Sequence, residues 1–557
     1  MNYACDFETT TETKSRESTQ VYLWCAITCN KDEKEYYGED IKSFINFIKA
    51  RPKNNFYFHN LKFDGIFILD YLLFHLDFKY DISKKANTFN ALISDMGMFY
   101  SITIYFQDNE KVTIYDSCKK FAAGTSIRSM ATAFETGLEK LSYNYETDKA
   151  NAIGYMYIRN DTLILARALK QLFKLGSKKM TVGSDAYSFW AENYGENFER
   201  DFPQLNDEIE DDLRNYYKGG YTYVNRFYKN KILDNIDGVC YDKNSMHPSS
   251  MVANVFPYGQ PYRFKGKYKY NEKYPLYCQH IRCYFAIKKN MPPIIQKGFG
   301  KFSRDYIITN LADVEPMDLY LTDVDLKLFF QCYDTFDLEY IDGYMFKCKK
   351  GMFDSYIKKW YTIKATSKGA KKSFAKLMLN SFYGKFGEKS EVCGKIVVKK
   401  NDIVGFVKGE PQIKKNKKYL PVAIWTTAYS RYDLIDKIIK AGGDSPTSSF
   451  LYCDTDSLHC LDRRVLPFID IDQNAICCWK EEYTFSTAKY LRAKCYYEQT
   501  DDKTIVRIAG LPITQAETIK LNEFDYGTKR KKLMPKIVKG GVLLLESEYI
   551  IRDKKGG

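Results

Sequence analysis

Histidine is scarce in this sequence, with five residues in 557, and the 15 cysteines never fall in a CxxC pair. A zinc ribbon or a Cys/His metal cluster therefore has no support. Scattered, apolar-flanked cysteines such as Cys240, Cys453 and Cys460 read instead as buried thiols in a reducing compartment. No apolar run approaches the length of a membrane span. No GxxxxGK[ST] loop offers a cradle for ATP-driven work, and no internal repeat or low-complexity linker interrupts the chain. Asp6 already belongs to the first motif described below, which leaves no room for a cleaved signal peptide, so the protein is expected to act in a cytoplasm.

What is present points to a multidomain protein that meets a polyanion. At 557 residues the chain exceeds one ordinary core, and roughly three to four structural units are expected. Lys and Arg number 84 against 70 Asp and Glu, a formal charge of +14 that favours phosphate contacts and counterion release. The 47 Tyr and 37 Phe offer flat surfaces for stacking bases, although most must fill cores.

The first third alternates extended and helical patterns. Asn2 to Phe7, Asn55 to His59 and Val112 to Tyr115 read as strands and Tyr157 to Phe173 as a helix, an α/β order. YKGG at 217–220 marks a boundary where paired glycines allow close backbone approach between aromatic residues. From Phe256 to Gly351 there is little long helical periodicity, then Lys364 to Tyr383 reads as one strong helix. The Lys-rich stretch Lys395 to Lys418 has hairpin or loop composition.

Two carboxylate constellations carry chemistry. In FLYCDTDSLHC (450–460) an apolar run flanks Asp454 and Asp456, suiting a hairpin whose i and i+2 residues face one metal site. Asp242, ending the apolar run of VCYDKNSMHP, supplies a third hard oxygen ligand of the kind magnesium or manganese takes. Two such ions activate a primer hydroxyl and stabilise a leaving pyrophosphate. Lys372, Lys376, Asn380 and Tyr383 share one helical face, with Phe374, Leu377 and Met378 turned elsewhere, as a grip on a triphosphate requires. In the other constellation, Asp6 and Glu8 of CDFETT are again i and i+2, Asp64 follows a second extended run, and Tyr157 and Asp161 lie i, i+4 on a helix. Four carboxylates from two strands, a loop and a helix would hold two ions for phosphodiester hydrolysis, with Tyr157 orienting the attacking water.

The order DKNSMHP, KLMLNSFYG (376–384), YCDTDS (452–457) and KCY (494–496) resembles the family B DNA polymerases, specifically their protein-primed branch. Further likeness lies in YKGG, PLYCQHIRC (275–283) and the terminal KGGVLLL. The acids at 6, 8, 64 and 161 match the motifs of DnaQ-like proofreading domains. The resemblance implies an α/β multidomain fold, an RNase H-like (DnaQ-like) 3′-5′ exonuclease followed by a right-hand polymerase of palm, fingers and thumb. It implies Asp242, Asp456 and the Lys243 backbone carbonyl as polymerase metal ligands with Asp454 beside them, and Asp6, Glu8 and Asp161 as exonuclease ligands. Each site would take two Mg²⁺ ions, with Mn²⁺ a substitute.

By the same likeness Lys364 and Lys376 contact the triphosphate, and Asn380 and Tyr383 shape the base-pair pocket. Tyr217, Gly219, Gly220, Thr427, Arg431, Lys494 and Tyr496 contact primer and template. Thr9, His59, Asn60, Phe63, Ser117 and Tyr145 hold a frayed 3′ end, and Lys140 assists excision. His247 stands where the family usually has a Tyr that excludes ribonucleotides, Ser430 where Gly or Ala is usual, and Cys118 where Leu is usual.

Two inserts distinguish the protein-primed branch. The implied division is exonuclease 1–181, palm 182–253 and 420–512, terminal-protein region one at 254–351, fingers 352–387, terminal-protein region two at 388–419 and thumb 513–557. The second insert, with Lys395, Lys399, Lys400, Lys408, Lys414, Lys415, Lys417 and Lys418, would ring the DNA and exclude the non-template strand. The run Lys529 to Lys532 would meet duplex phosphates. Expected partners are DNA, deoxynucleoside triphosphates, a terminal priming protein and a phage single-strand-binding protein, with the enzyme a monomer in the host cytoplasm, away from membranes. Three alternatives remain open: a nuclease whose remaining chain only binds DNA, a non-catalytic initiator or single-strand binder, and a polymerase that uses nucleic-acid primers alone.

Overall fold

Alternation along the first strand decides where the fold puts its first acids. A computed structural model describes residues 1–10, 17–142, 151–297, 306–307, 315–389, 391–413 and 416–553. Tyr3, Cys5 and Phe7 of the strand Asn2–Thr9 enter one apolar cluster and Ala4 another, so Asp6 and Glu8 fall on the Ala4 face. That face is covered by the helix Ala152–Lys174, whose Ile158, Leu165 and Leu169 share the Ala4 cluster. The sheet has eight strands in the order Glu35–Gly38, Val21–Thr28, Asn2–Thr9, Asn55–Phe58, Glu110–Asp116, Phe99–Gln107, Thr88–Ile93 and Lys79–Tyr80. Asn55–Phe58 runs parallel to both of its neighbours.

The Ala4 cluster does not stop at the first domain. It continues through the helices Val182–Tyr194, Gly369–Phe382 and Pro421–Lys440, so the first domain and the rest of the chain are packed on one continuous apolar body. The second half centres on a five-stranded antiparallel sheet in the order Trp479–Phe485, Gly238–Lys243, Ser457–Cys460, Phe450–Asp454 and Thr222–Val224. A second sheet, Ile232–Leu233, Thr487–Arg492, Cys495–Gln499 and Thr504–Ile508, lies against it. Between residues 255 and 350 a four-stranded sheet forms (Val255–Lys265, Tyr333–Lys350, Leu276–Ile287, Met317–Thr322).

Two hairpins reach back to the first domain. Glu391–Lys400 pairs with Ile403–Ile413, burying Val397 and Val404 in the other cluster of the first sheet and placing Phe406 edge-on to Phe99. Lys529–Val538 pairs with Gly541–Ile550, and its tip docks on the first domain. There Thr19 N–H donates to the Lys539 carbonyl (3.0 Å) and Gly540 N–H to Asp70 Oδ1 (3.1 Å). A side chain at Gly540 or Gly541, both at positive φ, would strike the Thr19 carbonyl or the Phe67 ring.

Several expectations change. The helix expected over Lys364 to Tyr383 is two helices, Asp354–Thr366 and Gly369–Phe382. The break falls at Ser367 and Lys368, both extended, followed by Gly369 at φ +54°, where a Cβ would meet the Glu135 carboxylate. A helix, Asp323–Cys332, lies inside the stretch read as non-helical. Asp64 sits in the first turn of the helix Leu61–Asp70 rather than on a loop. The four acids therefore come from one strand and two helices. Tyr145, Lys414 and Lys415 lie outside the described residues. Among the described residues no helix is long and apolar enough to cross a membrane.

Candidate active sites

In the first domain the strand, its facing helix and the helix Leu61–Asp70 bring Asp6, Glu8, Asp64 and Asp161 within each other's electrostatic reach. Burial, and then the Asp161 carboxylate, pushes Asp6 upward against the pull of Lys140. Glu8 is raised by burial and by Asp6 and Asp161, and Asp64 is raised well above the carboxylate range by burial and by Asp6. Lys140, which the resemblance implied as a helper of excision, donates from its ammonium to Asp161 Oδ2 and to the Tyr157 hydroxyl, over whose ring it also sits. Asp161 Oδ1 is buried with no partner. Acids that repel one another, one with an unanswered buried oxygen, are a donor set suited to a divalent cation.

The neighbouring side chains expected to hold a strand end are pre-arranged. His59 has one ring nitrogen 3.0 Å from Ser117 Oγ and the other 2.8 Å from the Thr125 carbonyl. Asn60, at φ +74°, precedes the helix bearing Asp64. Asp116 was not foreseen. Its Oδ1 accepts from the backbone N–H groups of Asn60, Leu61 and Cys118, so it fixes both segments at once. Its place directly after the extended run Val112 to Tyr115, at the end of the strand Glu110–Asp116, was the available signal. Phe63 is partly exposed beside Phe67, and Thr9 closes its strand.

In the second half a pocket of about 290 Å³ is lined by Asp242, Asp454, Asp456, Glu482, Lys494 and Tyr496, among others. Antiparallel register sets Asp242 opposite Ser457, and Ser457 opposite Asp454. Strand alternation was expected to carry Asp456 into the pocket, but it arrives from the turn after Thr455, which adopts φ +62°. That turn is held by Thr455 N–H to the Tyr221 carbonyl (2.8 Å) and by Lys243 N–H to the Asp456 carbonyl (2.8 Å). Gly220 is required here, since a Cβ would come within 2.7 Å of the Thr455 side chain, whereas Gly219 faces open space. The close approach in YKGG is thus to the turn that carries Asp456, not between aromatic rings.

Charges in this pocket are paired unevenly. Asp454 accepts from Lys494 Nζ through both oxygens (2.7 Å) and from Thr222 Oγ1 (2.9 Å). Lys480 stands 3.2 Å from Asp242, whose carboxyl burial still raises. Asp456 is pushed up to about 6 by burial and the adjacent Asp242. Among the described residues no three His, Cys, Asp or Glu side chains are grouped closely enough to hold a metal ion by themselves.

A family model for DNA polymerase type B, organellar and viral, matches residues 47–171 and 154–473. The DNA polymerase of Bacillus phage Nf is 35% identical over 99% of both chains, and that of Streptococcus phage Cp-1 is 31% identical over 99% of this chain and 98% of its own. The chain belongs to the type B DNA polymerases. Solved structures of phi29 DNA polymerase superpose on it with a TM-score of 0.90 at 34% identity, covering 99% of this chain and all of theirs, among them a complex with primer-template DNA and incoming nucleotides. The α/β architecture expected from sequence is therefore that of a phi29-like type B polymerase.

Beside this polymerase's carboxylates, Lys364 donates to Ser245 Oγ (3.0 Å), and burial together with Lys376 and Lys480 lowers its pKa. Lys372, Lys376 and Asn380 are exposed on the helix face opposite the buried Phe374, Leu377 and Met378. Tyr383 begins the turn after that helix, its ring 3.8 Å from that of His247. His247 Nδ1 lies 3.1 Å from Ser430 Oγ, and burial lowers its pKa to about 4, so the imidazole is neutral. Tyr496 packs against Tyr452 and His459.

Two expected strand contacts of the polymerase face inward. Thr427 is buried and its hydroxyl donates within its own helix to Ala423 and Ile424. Arg431 grips Asp325 through Nη2 (2.7 and 2.8 Å) and donates from Nη1 to the carbonyls of Lys218 and Gly219 (3.0 Å each). Burial would raise Asp325, but Arg431 and Lys218 outweigh it and hold the carboxyl below its usual range. Asp325, like Lys480 and Glu482, escaped the sequence reading. Replacing one partner strands the other charge, so Asp325→Ala should cost about 3–5 kcal/mol, read by denaturant unfolding, and should weaken primer-template binding by loosening the YKGG loop. Unchanged stability would mean that the pair does not hold the loop.

Proposed function

We propose that this polymerase extends DNA with two Mg²⁺ ions held by Asp242, Asp456 and the Lys243 carbonyl, and proofreads with a separate 3′-5′ exonuclease built on Asp6, Glu8, Asp64 and Asp161. The observation that carries this reading is the presence of two carboxylate clusters on opposite halves of one packed body. When bound, the ions supply hydroxyl activation and leaving-group stabilisation. The chain's own groups supply the rest: Lys364, Lys372 and Lys376 attract the triphosphate, Lys494 holds Asp454, and Tyr157 with Lys140 orients groups at the excision centre. His247, neutral and tilted against the Tyr383 ring, lies where the sugar would pass. The solved phi29 complexes with single-stranded DNA, primer-template and nucleotides favour the same ligands here.

Protein-primed initiation, processivity and strand displacement belong to the same proposal, supported by the likeness to phage enzymes along the whole chain. The two long hairpins both dock on the first domain and touch each other, an arrangement able to encircle a strand. Lys400 and Lys408 of the first hairpin face solvent, while Lys399 pairs with Asp77 and Lys417 with Asp207. The test replaces residues 391–413 with a short glycine linker and follows a labelled primer on a template carrying a downstream blocking strand. Intact enzyme should pass the block, and the shortened enzyme should stall there yet copy an open template. Equal passage by both would remove the hairpin from strand displacement.

A further inference from the structure

Behind the polymerase carboxylates lies a polar cluster that no motif marks. Glu498 is fully buried and His459 is 1% exposed. His459 Nδ1–H donates to Glu498 Oε1 (2.7 Å), the Tyr490 hydroxyl donates to the same oxygen, and the Tyr483 hydroxyl donates to Oε2 (2.8 Å). Three donors converging on an acceptor-only group is the pattern an ionised carboxylate satisfies. The other His459 nitrogen lies 3.3 Å from Ser457 Oγ, one residue beyond Asp456.

The partners belong to different sheets. His459 is on Ser457–Cys460, the second strand of the hairpin that carries Asp454 and Asp456, and Glu498 is on Cys495–Gln499, just beyond Lys494. Between the sheets the other contacts are largely apolar, through Val224, Leu451, Phe485 and Ala488, and apolar contacts are not directional. The strand bearing Glu498 and the turn leading into it thus hold the catalytic hairpin at two points. In front, Lys494 Nζ meets Asp454 and Lys494 N–H donates to Tyr452 Oη (3.1 Å). Behind, Glu498 meets His459. A buried charged pair is poor evidence of stabilisation, since apolar replacements of similar volume are commonly as stable, and its best-attested use is to fix register.

We propose that Glu498 and His459 are positioning residues of the polymerase centre, a buried link that fixes the catalytic hairpin against the strand that follows Lys494 and so sets Asp454 and Asp456 opposite Asp242. This rests on the assignment of those three carboxylates as that centre. The test uses the full chain and measures single-turnover incorporation of one deoxynucleotide, its dependence on nucleotide concentration, and thermal unfolding. The variants are Asp456→Ala, Glu498→Gln and, in a Tyr483→Phe, Tyr490→Phe background that removes the other two donors to Glu498, the apolar double variant His459→Leu with Glu498→Met.

The double variant should unfold within about 5 °C of wild type. Its maximal incorporation rate should fall about thirtyfold or more, because small misplacements of reacting groups are costly, while apparent nucleotide affinity moves less than about threefold. Glu498→Gln, which keeps the acceptor oxygen, should stay within about threefold of wild type. A folded double variant with wild-type incorporation overturns the proposal, and so does loss of the fold itself, which would assign the pair to stability alone. Continued incorporation by Asp456→Ala would instead unseat the assignment of the centre, a result separable from either.

Discussion

Asp456→Ala should lower nucleotide incorporation about a thousandfold or more while leaving removal of nucleotides from a single-stranded 3′ end near its original rate. The size follows from the chemistry, since a carboxylate that helps hold two ions contributes several kcal/mol of transition-state stabilisation, and each 1.36 kcal/mol is about tenfold in rate. The selectivity follows from the fold. Asp456 sits in a turn held by Tyr221 and Lys243, and the carboxylates proposed for excision lie on a strand and two helices of the first domain. Asp454→Ala should be nearly as damaging, because it also frees Lys494 from its carboxylate. Measuring both activities on one preparation separates loss of a site from loss of the protein. A parallel fall in both would indicate misfolding or a single shared site.

The second large effect lies in the other half. Asp6→Ala combined with Glu8→Ala should reduce 3′-5′ excision about a thousandfold or more, with primer extension retained and the error frequency of the product raised. Burial and mutual repulsion already hold Asp6, Glu8 and Asp64 above the ordinary carboxylate range. Removing two of the acids relieves that repulsion, so the double variant should be no less stable than wild type. Protons compete with a divalent ion for these acids. Carboxyls raised this far take up protons first as pH falls, so excision should fail at higher pH than incorporation. Excision that persists in the double variant would place the nuclease chemistry elsewhere.

Local rules made some of this architecture legible. Asp6 and Glu8 share a face because a strand repeats every two residues, and Tyr157 and Asp161 share one because a helix brings i and i+4 together. The Lys-rich stretch read as a hairpin or loop is the hairpin Glu391–Lys400 with Ile403–Ile413, although its glycines and proline fall inside the second strand and the turn is at Asn401 and Asp402. Where one local rule was trusted too far, the outcome shifted. Asp456 reached its pocket through a left-handed Thr455 rather than strand alternation, and the helix over Lys364 to Tyr383 broke at Ser367 and Lys368 where the chain reverses.

The remainder depends on long-range register. Lys480 stands beside Asp242 only because two strands more than 200 residues apart pair across a bulge. Asp325 meets Arg431 from 106 residues away, and Glu498 meets His459 across two sheets. None has a signature in its neighbours, and each is a side chain that holds another in place. Residues that perform chemistry recur in recognisable strings, whereas those that position them are set by the packing of the whole chain.

The most direct measurement offers a labelled primer with a mismatched 3′ end, annealed to template, in magnesium with all four deoxynucleotides, to wild type, Asp456→Ala and the Asp6→Ala, Glu8→Ala variant. With two separate sites, wild type shortens the primer past the mismatch and then extends it, Asp456→Ala only shortens it, and the double variant never shortens it yet extends a matched primer. If either variant loses shortening and extension together while remaining folded, one centre serves both reactions and the two-site proposal is wrong.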